Sequence, residues 1–236
     1  MISVSYDLHI HSCLSPCGDD ASTPASIAGF AALNDLQVVA LTDHNSCKNC
    51  GAFLKACAFY GIVGLPGMEL TTSEEVHVVC LFASLSDAMK FDAYVYEHLM
   101  DVKNNEKIFG NQIIMNEDDE ETGRIEKLLI SATDIDFDSV FDLVAKYNGI
   151  MIPAHLDKNT TSLISQLGFV PPESKFKTAE LKSMKNLHSL RKANPYLENC
   201  KIITSSDAHY LKDINQAVNT ILVEELTPEG VIKALR

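Results

Sequence analysis

The chain has 236 residues and a formal net charge of −13, and 46% of its residues are hydrophobic. This length is enough for one sizeable core, so we expect a single domain over residues 1–236. No apolar run approaches the roughly 18 residues of a membrane span, and the N-terminus lacks the features of a signal peptide, which predicts a cytoplasmic protein. A surface this acidic argues against nucleic-acid binding, but a small anionic substrate could bind where metal ions reverse the local field.

The first predicted unit is a strand, a loop and a helix. The strand covers residues 3–9, and the helix begins with Thr23 as N-cap and Pro24 in the first helical position. A later helix is predicted to begin at a Ser86 cap. Further strands are predicted at 37–42, 62–70, 76–82, 150–154, 178–181, 201–204 and 220–223, and further helices at 52–60, 86–100, 137–147, 162–167, 183–193 and 228–235.

Residues 103–134 interrupt this alternation of strands and helices. They contain an acidic run at 116–121, and such runs usually face solvent. We interpret the segment as an insertion that forms a surface excursion. A lid over the active site is the alternative.

Apolar strands that alternate with helices predict an α/β protein with parallel strands. Six or seven such units favour closure into a barrel over a doubly wound sheet. The chain contains neither G-x-G-x-x-G nor G-x-x-x-x-G-K, which argues against nucleotide-cofactor enzymes and kinases.

Histidine and acidic side chains follow several of the predicted strands. His9 and His11 are one residue apart at the end of the first strand, so both point to the same face. The positions after later strands hold His44, Glu69, His155, Asp207 and His209. His77 differs because it precedes its strand, and His98 and His188 are interpreted as surface residues. Since the chemistry of α/β barrels collects at the carboxyl ends of the strands, we expect the strand-end residues to converge.

These candidate ligands are too numerous for one metal ion, because zinc takes about four ligands and larger ions about six. They predict two or three divalent ions, zinc, manganese or iron, roughly 3.5–4 Å apart. Glu69 is the candidate for a carboxylate that bridges two of them. Such a centre lowers the pKa of a bridging water and suits the hydrolysis of phosphate esters.

The seven cysteines are expected to be free thiols, because their number is odd and no export signal precedes them. The spacing of Cys13 with Cys17, and of Cys47 with Cys50, leaves a zinc or iron–sulfur site open as an alternative. Each pair directly follows a histidine motif, which favours incidental loop cysteines.

The order of the histidine and acidic motifs resembles the PHP (polymerase and histidinol phosphatase) family of metal-dependent phosphoesterases. The resemblance rests on D-L-H-I-H-S near the N-terminus, then T-D-H, a lone Glu, a later His, P-A-H and S-D-A-H. It covers nearly the whole chain and implies a distorted seven-stranded β/α (TIM-like) barrel of the PHP type. It also implies a two- or three-metal centre at the C-terminal end of the barrel, in an enzyme that stands alone without a polymerase or other domain.

The resemblance further implies which residues hold each metal. A first metal would be bound by His9, His11, Glu69 and Asp207. A second would share Glu69 and add His77 and His155. A third would be bound by His44, His209 and one residue of the first loop, for which Asp19 is favoured and Cys17 and Asp20 are rivals. Asp43 of the T-D-H motif is expected to orient a ligand.

The function predicted on this basis is hydrolysis of a phosphate monoester, small-molecule or nucleotide, by a hydroxide that bridges the metals. Glu69 and Asp207 would act in the catalytic centre, and His209 or an acidic neighbour would protonate the leaving alkoxide. Lys158 is expected to contact the phosphate. The alternatives are a barrel amidohydrolase acting on C–N bonds and a non-catalytic, metal-stabilised regulatory module, while the charge disfavours a nuclease that edits DNA 3′ ends. The particular ester and the oligomeric state stay open.

Overall fold

Ten short strands and eight α-helices make up the fold in the computed structural model, which describes residues 1–236. The strands are β1 (Ile2–Asp7), β2 (Val38–Leu41), β3 (Val63–Thr71), β4 (His77–Leu81), β5 (Ile113–Met115), β6 (Glu121–Arg124), β7 (Ile150–Pro153), β8 (Thr178–Glu180), β9 (Lys201–Ile203) and β10 (Thr220–Val223). The helices are α1 (Pro24–Leu33), α2 (Cys50–Tyr60), α3 (Leu85–His98), α4 (Glu106–Phe109), α5 (Phe137–Lys146), α6 (Leu163–Leu167), α7 (Leu187–Ala193) and α8 (Pro228–Leu235). None of these helices combines the length and the hydropathy that crossing a bilayer requires.

The strands curl into a distorted barrel. Six of them form one sheet in the order β10, β1, β2, β3, β4, β7, and β8 pairs with β9 beside it. A hydrogen bond of 2.9 Å from Leu156 N to Glu180 O connects the end of β7 to β8. A bridge between Ile10 and Ala208 connects the chain after β9 to the chain after β1. The predicted distorted α/β barrel is therefore confirmed.

The expectation of parallel strands is wrong for β4 and β10. Strand β4 runs antiparallel to both β3 and β7, and β10 runs antiparallel to β1. In the β3–β4 pair, His77 lies opposite Thr71, so the first residue of β4 sits where β3 ends. The reversal follows from the short connection at 72–76, because a parallel neighbour needs a crossover of a dozen or more residues.

Both faces of the central strands are buried. In β2, Val38 and Ala40 belong to a cluster of 17 buried apolar residues, and Val39 and Leu41 belong to a larger cluster of 36. This alternation arises because successive side chains of a strand point to opposite faces. Residues of α1, α2, α3 and α5 complete the larger cluster, and residues of α8 complete the smaller one. Strand β2 thus contains no polar side chain, and the buried Thr42, Asp43 and His44 follow directly after its end.

Two predicted helix starts have different outcomes. The Thr23 side chain accepts a hydrogen bond from Ser26 N at the start of α1, which confirms Thr23 as its N-cap. Helix α3 is capped by Ser84 and not by Ser86. The Ser84 side chain accepts from Asp87 N and its backbone is extended, which is the geometry of an N-cap, so the helix begins earlier than predicted.

The segment at 103–134, which we interpret as an insertion, contains α4 and a hairpin of β5 and β6, and it packs against the first loop of the chain. Asn49, just before α2, connects the segment at 103–134 to the first loop. Its Nδ2 donates to Ser12 Oγ at 3.0 Å and to Ile113 O at 3.1 Å, and its Oδ1 accepts from Met115 N at 2.9 Å. The insertion therefore supports the loop that follows β1.

Replacing Asn49 by Ala is expected to lower the free energy of unfolding by about 2–4 kcal/mol, because buried backbone groups of the hairpin lose their partners. Chemical denaturation measured by circular dichroism would give the change. Asn199→Ala, at an exposed asparagine, is the matched control and should stay within about 0.5 kcal/mol of the unmodified protein. A loss for Asn49→Ala no larger than that of the control would contradict this role.

Candidate metal centre

The polar side chains that follow the strands meet at one end of the barrel. They are His9 and His11 after β1, His44 after β2, Glu69 near the end of β3, His155 after β7, and Asp207 and His209 after β9. His77 joins them from the first position of β4, because that strand is reversed. Five of these eight side chains are buried, and His77, Asp207 and His209 are partly exposed.

Three groups of these residues hold their ligand atoms within 4.8 Å of one another. The groups are His9, His11, Glu69 and Asp207; His44, Glu69 and His77; and His11, His44 and His209. His155 lies beside the second group, with its Nε2 3.1 Å from Glu69 Oε1. Because the groups share members, they form one polynuclear site.

Glu69 is at the centre of this site. Its Oε1 lies 3.3 Å from His9 Nε2, 2.9 Å from His77 Nδ1 and 3.1 Å from His155 Nε2, and its Oε2 lies 3.3 Å from His11 Nε2 and 3.2 Å from His44 Nδ1. Burial alone raises the pKa of Glu69, but the surrounding histidines outweigh burial and hold this pKa well below its usual value. Glu69 is therefore an ionised carboxylate positioned to bridge metal ions.

Four buried imidazole nitrogens at the site have no hydrogen-bond partner: His9 Nε2, His11 Nε2, His44 Nδ1 and His155 Nδ1. A buried polar atom without a partner costs about 1–3 kcal/mol, so such atoms are rare unless they have another role. Imidazole nitrogens and carboxylate oxygens together are a donor set that suits zinc, manganese and iron. The residues present therefore fit a multinuclear centre of divalent metal ions.

Two of the candidate ligands have strained backbones. His155 has a φ of 31° and Asp207 a φ of 54°, in the left-handed region that non-glycine residues rarely adopt. Such conformations cost about 1–3 kcal/mol each and persist where the surrounding structure enforces them, often at functional sites. These two backbone conformations therefore lower the stability of the fold while they direct the side chains of His155 and Asp207 toward the cluster.

Other side chains orient the histidines. His9 Nδ1 donates to Glu180, 3.1 Å from its Oε2, which leaves Nε2 directed to the cluster. His11 Nδ1 lies 3.0 Å from Ser15 Oγ, and Ser15 Oγ donates to Asp43 Oδ1 at 2.7 Å. Hydrogen bonds of this kind set the ring orientation and tautomer of metal-binding histidines. Asp43 thus orients His11 through Ser15.

Glu180 was missed by sequence reasoning, although a signal was present. It is the last residue of β8, and the end of a strand is the position that selected the other candidates. Burial alone lowers the pKa of His9, but the carboxylates of Glu180, Glu69 and Asp207 outweigh burial and raise this pKa well above its usual value. A metal that binds His9 therefore competes with a proton that these carboxylates favour.

Glu180→Gln is expected to weaken metal binding about 10- to 100-fold, because the histidine loses a charged partner that orients it and makes it a better ligand. The pKa of His9 should also fall, so fewer protons are released when metal is added at pH 7. Competition with a chromogenic chelator measures the affinity, and titration calorimetry in buffers of different ionisation enthalpy counts the protons.

The exposed Glu173 supplies the control, since Glu173→Gln makes the same chemical change away from the cluster. If Glu180→Gln and this control bound metal equally well, Glu180 would have no role in orienting the ligand.

The first loop does not complete the third group. Asp19 Oδ1 accepts a hydrogen bond of 2.8 Å from Ala21 N, and Asp19 lies outside all three groups. Asp20 Oδ2 accepts from Asn111 Nδ2 at 2.7 Å, and Cys17 is exposed and also outside the groups. The carboxylates of this loop are directed to the loop backbone and to the insertion, which the loop spacing did not indicate.

Lys158 and His209 lie at the open side of the cluster. Lys158 Nζ is 2.9 Å from Asp207 Oδ2, and although burial opposes it, Asp207 raises the pKa of this lysine. Burial and the neighbouring His11 lower the pKa of His209 to about 4. His209 is thus neutral at pH 7 in the metal-free protein, a state that suits a metal ligand better than a proton donor.

The remaining histidines and the cysteines lie outside the cluster. His98, the last residue of α3, pairs through its Nδ1 with Asp134, and His188 is exposed on α7. All seven cysteines are free thiols, and none belongs to the three groups. Cys47 and Cys50 are buried near Gly67 O rather than lying in an open loop. The alternative of a cysteine metal site finds no support in this arrangement.

Residues 7–198 match the model of the PHP domain family. Because this match covers more than half of the chain, the chain belongs to the PHP domain family. Together with the clustered histidines and carboxylates, this membership defines a PHP-domain protein with a polynuclear arrangement of candidate metal ligands. A comparison with curated proteins gives no match.

Several solved structures have the same fold. The lesion-specific endonuclease Q from Pyrococcus furiosus is 20% identical with a TM-score of 0.68, over 99% of this chain and 56% of that protein. A protein from Bifidobacterium adolescentis described as a metal-dependent phosphoesterase is 16% identical with a TM-score of 0.56, over 98% and 95%. An amidohydrolase from Chromobacterium violaceum with bound sulfate is 18% identical with a TM-score of 0.60, over 95% and 93%. The chain spans about half the length of endonuclease Q, and at these identities the likeness establishes the fold alone.

Proposed function

We propose that this protein hydrolyses phosphate monoesters at a centre of two or three divalent metal ions. The observation that carries the proposal is the sharing of Glu69 between two groups of ligand atoms, each within 4.8 Å, around histidine nitrogens that have no other partner. We also propose that residues 1–236 act as one barrel domain with an insertion at 103–134.

The proposed ligands keep the assignment that the family resemblance implies, and the first set is identical with one of the three groups. A first metal would be held by His9, His11, Glu69 and Asp207, a second by Glu69, His77 and His155, and a third by His44 and His209. Asp19 remains a proposed ligand only if the first loop rearranges, because its carboxylate now bonds to Ala21 N. Metal ions bound here would activate a water molecule and neutralise charge on the phosphoryl oxygens.

The protein's own residues then have distinct roles. Glu69 and Asp207, both ionised, supply the negative charge that holds cations in a buried place. Lys158, partly exposed beside Asp207, is positioned to bind and orient the phosphate. His209 is proposed to act near the leaving group as a neutral metal ligand, and an acidic neighbour rather than His209 would supply the proton.

Lys158→Met is expected to lower kcat/KM about 10- to 100-fold, because a hydrogen bond to a charged group contributes about 1.5–3 kcal/mol. The effect should appear mainly in KM if the lysine binds substrate and transition state equally. Lys175→Met is the control, since Lys175 is an exposed lysine paired with Asp142. Equal kcat/KM values for the two variants would contradict a role of Lys158 in binding the phosphate.

The comparisons suggest two other candidate activities, which are tested in the same experiment as monoester hydrolysis. One solved structure of endonuclease Q contains a 27-mer duplex substrate with an abasic lesion, so cleavage of a phosphodiester is one candidate. The net charge of −13 argues against a long polyanion such as DNA as the substrate, because the two would repel each other. The amidohydrolase from Chromobacterium violaceum makes hydrolysis of a C–N bond the other candidate.

The deciding experiment measures bound metal by elemental analysis and compares hydrolysis of three substrate sets by the metal-loaded protein. The sets are phosphate monoesters, lesion-containing duplex DNA, and amides. We expect release of inorganic phosphate from monoesters and its loss in His9→Ala. Cleavage of only DNA or only amides would replace the proposal with that activity. Full phosphatase activity in metal-free protein or in His9→Ala would defeat it.

A further inference from the structure

A groove of about 440 Å³ opens beside the candidate metal centre. Lys158 belongs to both places, because its Nζ is 2.9 Å from Asp207 Oδ2 and its side chain also lines the groove. One wall is the chain that follows β7, and the other is formed by Asn186 and Ser189 in and before α7. A phosphate ester bound at Lys158 would therefore place its alcohol portion in or next to this groove.

The lining of the groove combines hydrogen-bonding groups with an aliphatic surface. The hydrogen-bonding side chains are Asn159, Ser165, Asn186 and Ser189, and the aliphatic ones are Leu156, Ile164 and Leu190. The hydroxyls of Ser165 and Ser189 donate to the backbone oxygens of Ser162 and Asn186, so they face a ligand as acceptors. Asn159 is exposed. The side-chain Nδ2 of Asn186 donates to Asp157, which leaves the side-chain Oδ1 of Asn186 as an acceptor. Such a surface matches a molecule with hydroxyl groups along one edge and carbon atoms along its face.

The groove offers no free cation. Its only acid, Asp157, accepts hydrogen bonds from Lys182 N at 2.6 Å, Ser183 N at 3.0 Å and Asn186 Nδ2 at 2.8 Å. Its only cation, Lys158, pairs with the metal centre. A second phosphate would thus find no free cation here and would bury its charge beside the Asp157 carboxylate at a cost.

The groove also lacks an aromatic side chain among its lining residues. Protein sites that hold nucleobases commonly stack them on aromatic rings, and this stacking contributes about 1–3 kcal/mol per base. The groove therefore suits a hydroxylated, non-aromatic group better than a nucleobase.

We infer that this groove binds the polyhydroxylated alcohol portion of the substrate, so that the substrate class is sugar or polyol phosphates. The inference rests on the proposed function, which places the phosphate at the metal centre. Amide and hydroxyl groups that pair with substrate hydroxyls select against analogues that lack them, because the protein's polar groups would be left without partners. Asn159, Asn186 and Ser189 are the specificity-determining residues in this arrangement.

The test fills the groove and compares two kinds of monoester. Ser189→Phe places a ring in the groove, and Ser86→Phe makes the same change at an exposed serine in α3. Ribose 5-phosphate and sorbitol 6-phosphate are compared with phenyl phosphate by release of inorganic phosphate from the metal-loaded protein. We expect Ser189→Phe to lower kcat/KM for the sugar and polyol phosphates at least about tenfold and for phenyl phosphate less than about twofold.

Asn159→Ala should change the same ratio in the same direction, with a smaller effect. Equal losses on both kinds of substrate, or no loss on either, would overturn the inference. Ser86→Phe is expected to leave both rates unchanged.

Binding of a non-hydrolysable methylene phosphonate analogue of ribose 5-phosphate separates this inference from the proposed function. If no monoester is hydrolysed, the proposed function fails, and calorimetry with the phosphonate still reports on the groove. Weaker binding to Ser189→Phe than to Ser86→Phe would then support the groove as the site for hydroxylated groups, and equal binding would overturn it.

Discussion

Glu69→Gln is expected to reduce hydrolysis by about 10³-fold or more. Glu69 approaches the nitrogens of five histidines within 3.3 Å, so neutralising it removes the charge that holds neighbouring cations together. Metal-based stabilisation of transition-state charge contributes several kcal/mol, and each 1.36 kcal/mol corresponds to a factor of ten in rate. Elemental analysis should show fewer bound metal ions per chain, and initial rates of phosphate release measure the loss.

Glu97→Gln is the matched control, because Glu97 is exposed on α3 and belongs to none of the three ligand groups. Far-UV circular dichroism establishes that the Glu69→Gln variant is folded. A folded Glu69→Gln variant with more than a tenth of the normal rate and a full complement of metal would exclude Glu69 as the shared ligand.

Removing the metals is expected to lower the melting temperature by about 8–16 °C. A ligand present at a thousand times its Kd stabilises the native state by about 4 kcal/mol, and for a chain of this size each kcal/mol corresponds to about 2–4 °C. The physical basis is the set of buried histidine nitrogens that have no partner without metal. Differential scanning fluorimetry with and without a chelator measures the shift.

His9→Ala should largely abolish this shift, because it removes a ligand from the cluster, whereas His98→Ala should preserve it. A chelator that leaves the melting temperature of the unmodified protein unchanged would contradict a metal centre. This measurement does not depend on activity, so it tests the centre separately from the proposed reaction.

Most elements of the barrel could be predicted because the signals are local. The Thr23 cap of α1 depends on a hydrogen bond to a residue three positions away, and the apolar run of β2 marks a strand buried on both faces. The Ser86 prediction failed because Ser84, two residues earlier, satisfies the same helix end. Competing caps within one turn have nearly the same local signal, so only the packed helix distinguishes them.

His77 shows a second kind of feature that could not be predicted from the sequence, the direction of a strand. Its place before a strand looked like an exception to the rule that ligands follow strands. The reversal of β4 brings its first residue opposite Thr71 at the end of β3, so His77 obeys the rule in space and not in sequence. Strand direction depends on which neighbour a strand pairs with, and that choice is made by contacts across the sheet.

The sequence by itself determined the types of the main elements, the family, and the set of histidines and carboxylates that meet at the barrel rim, because hydrophobic periodicity and short motifs are written in neighbouring residues. The tertiary structure alone decided the direction of β4, the pairing of Glu180 with His9 across 171 residues, and the turning of Asp19 toward Ala21 N. Those three features depend on the competition among partners that only the folded chain brings within hydrogen-bond reach.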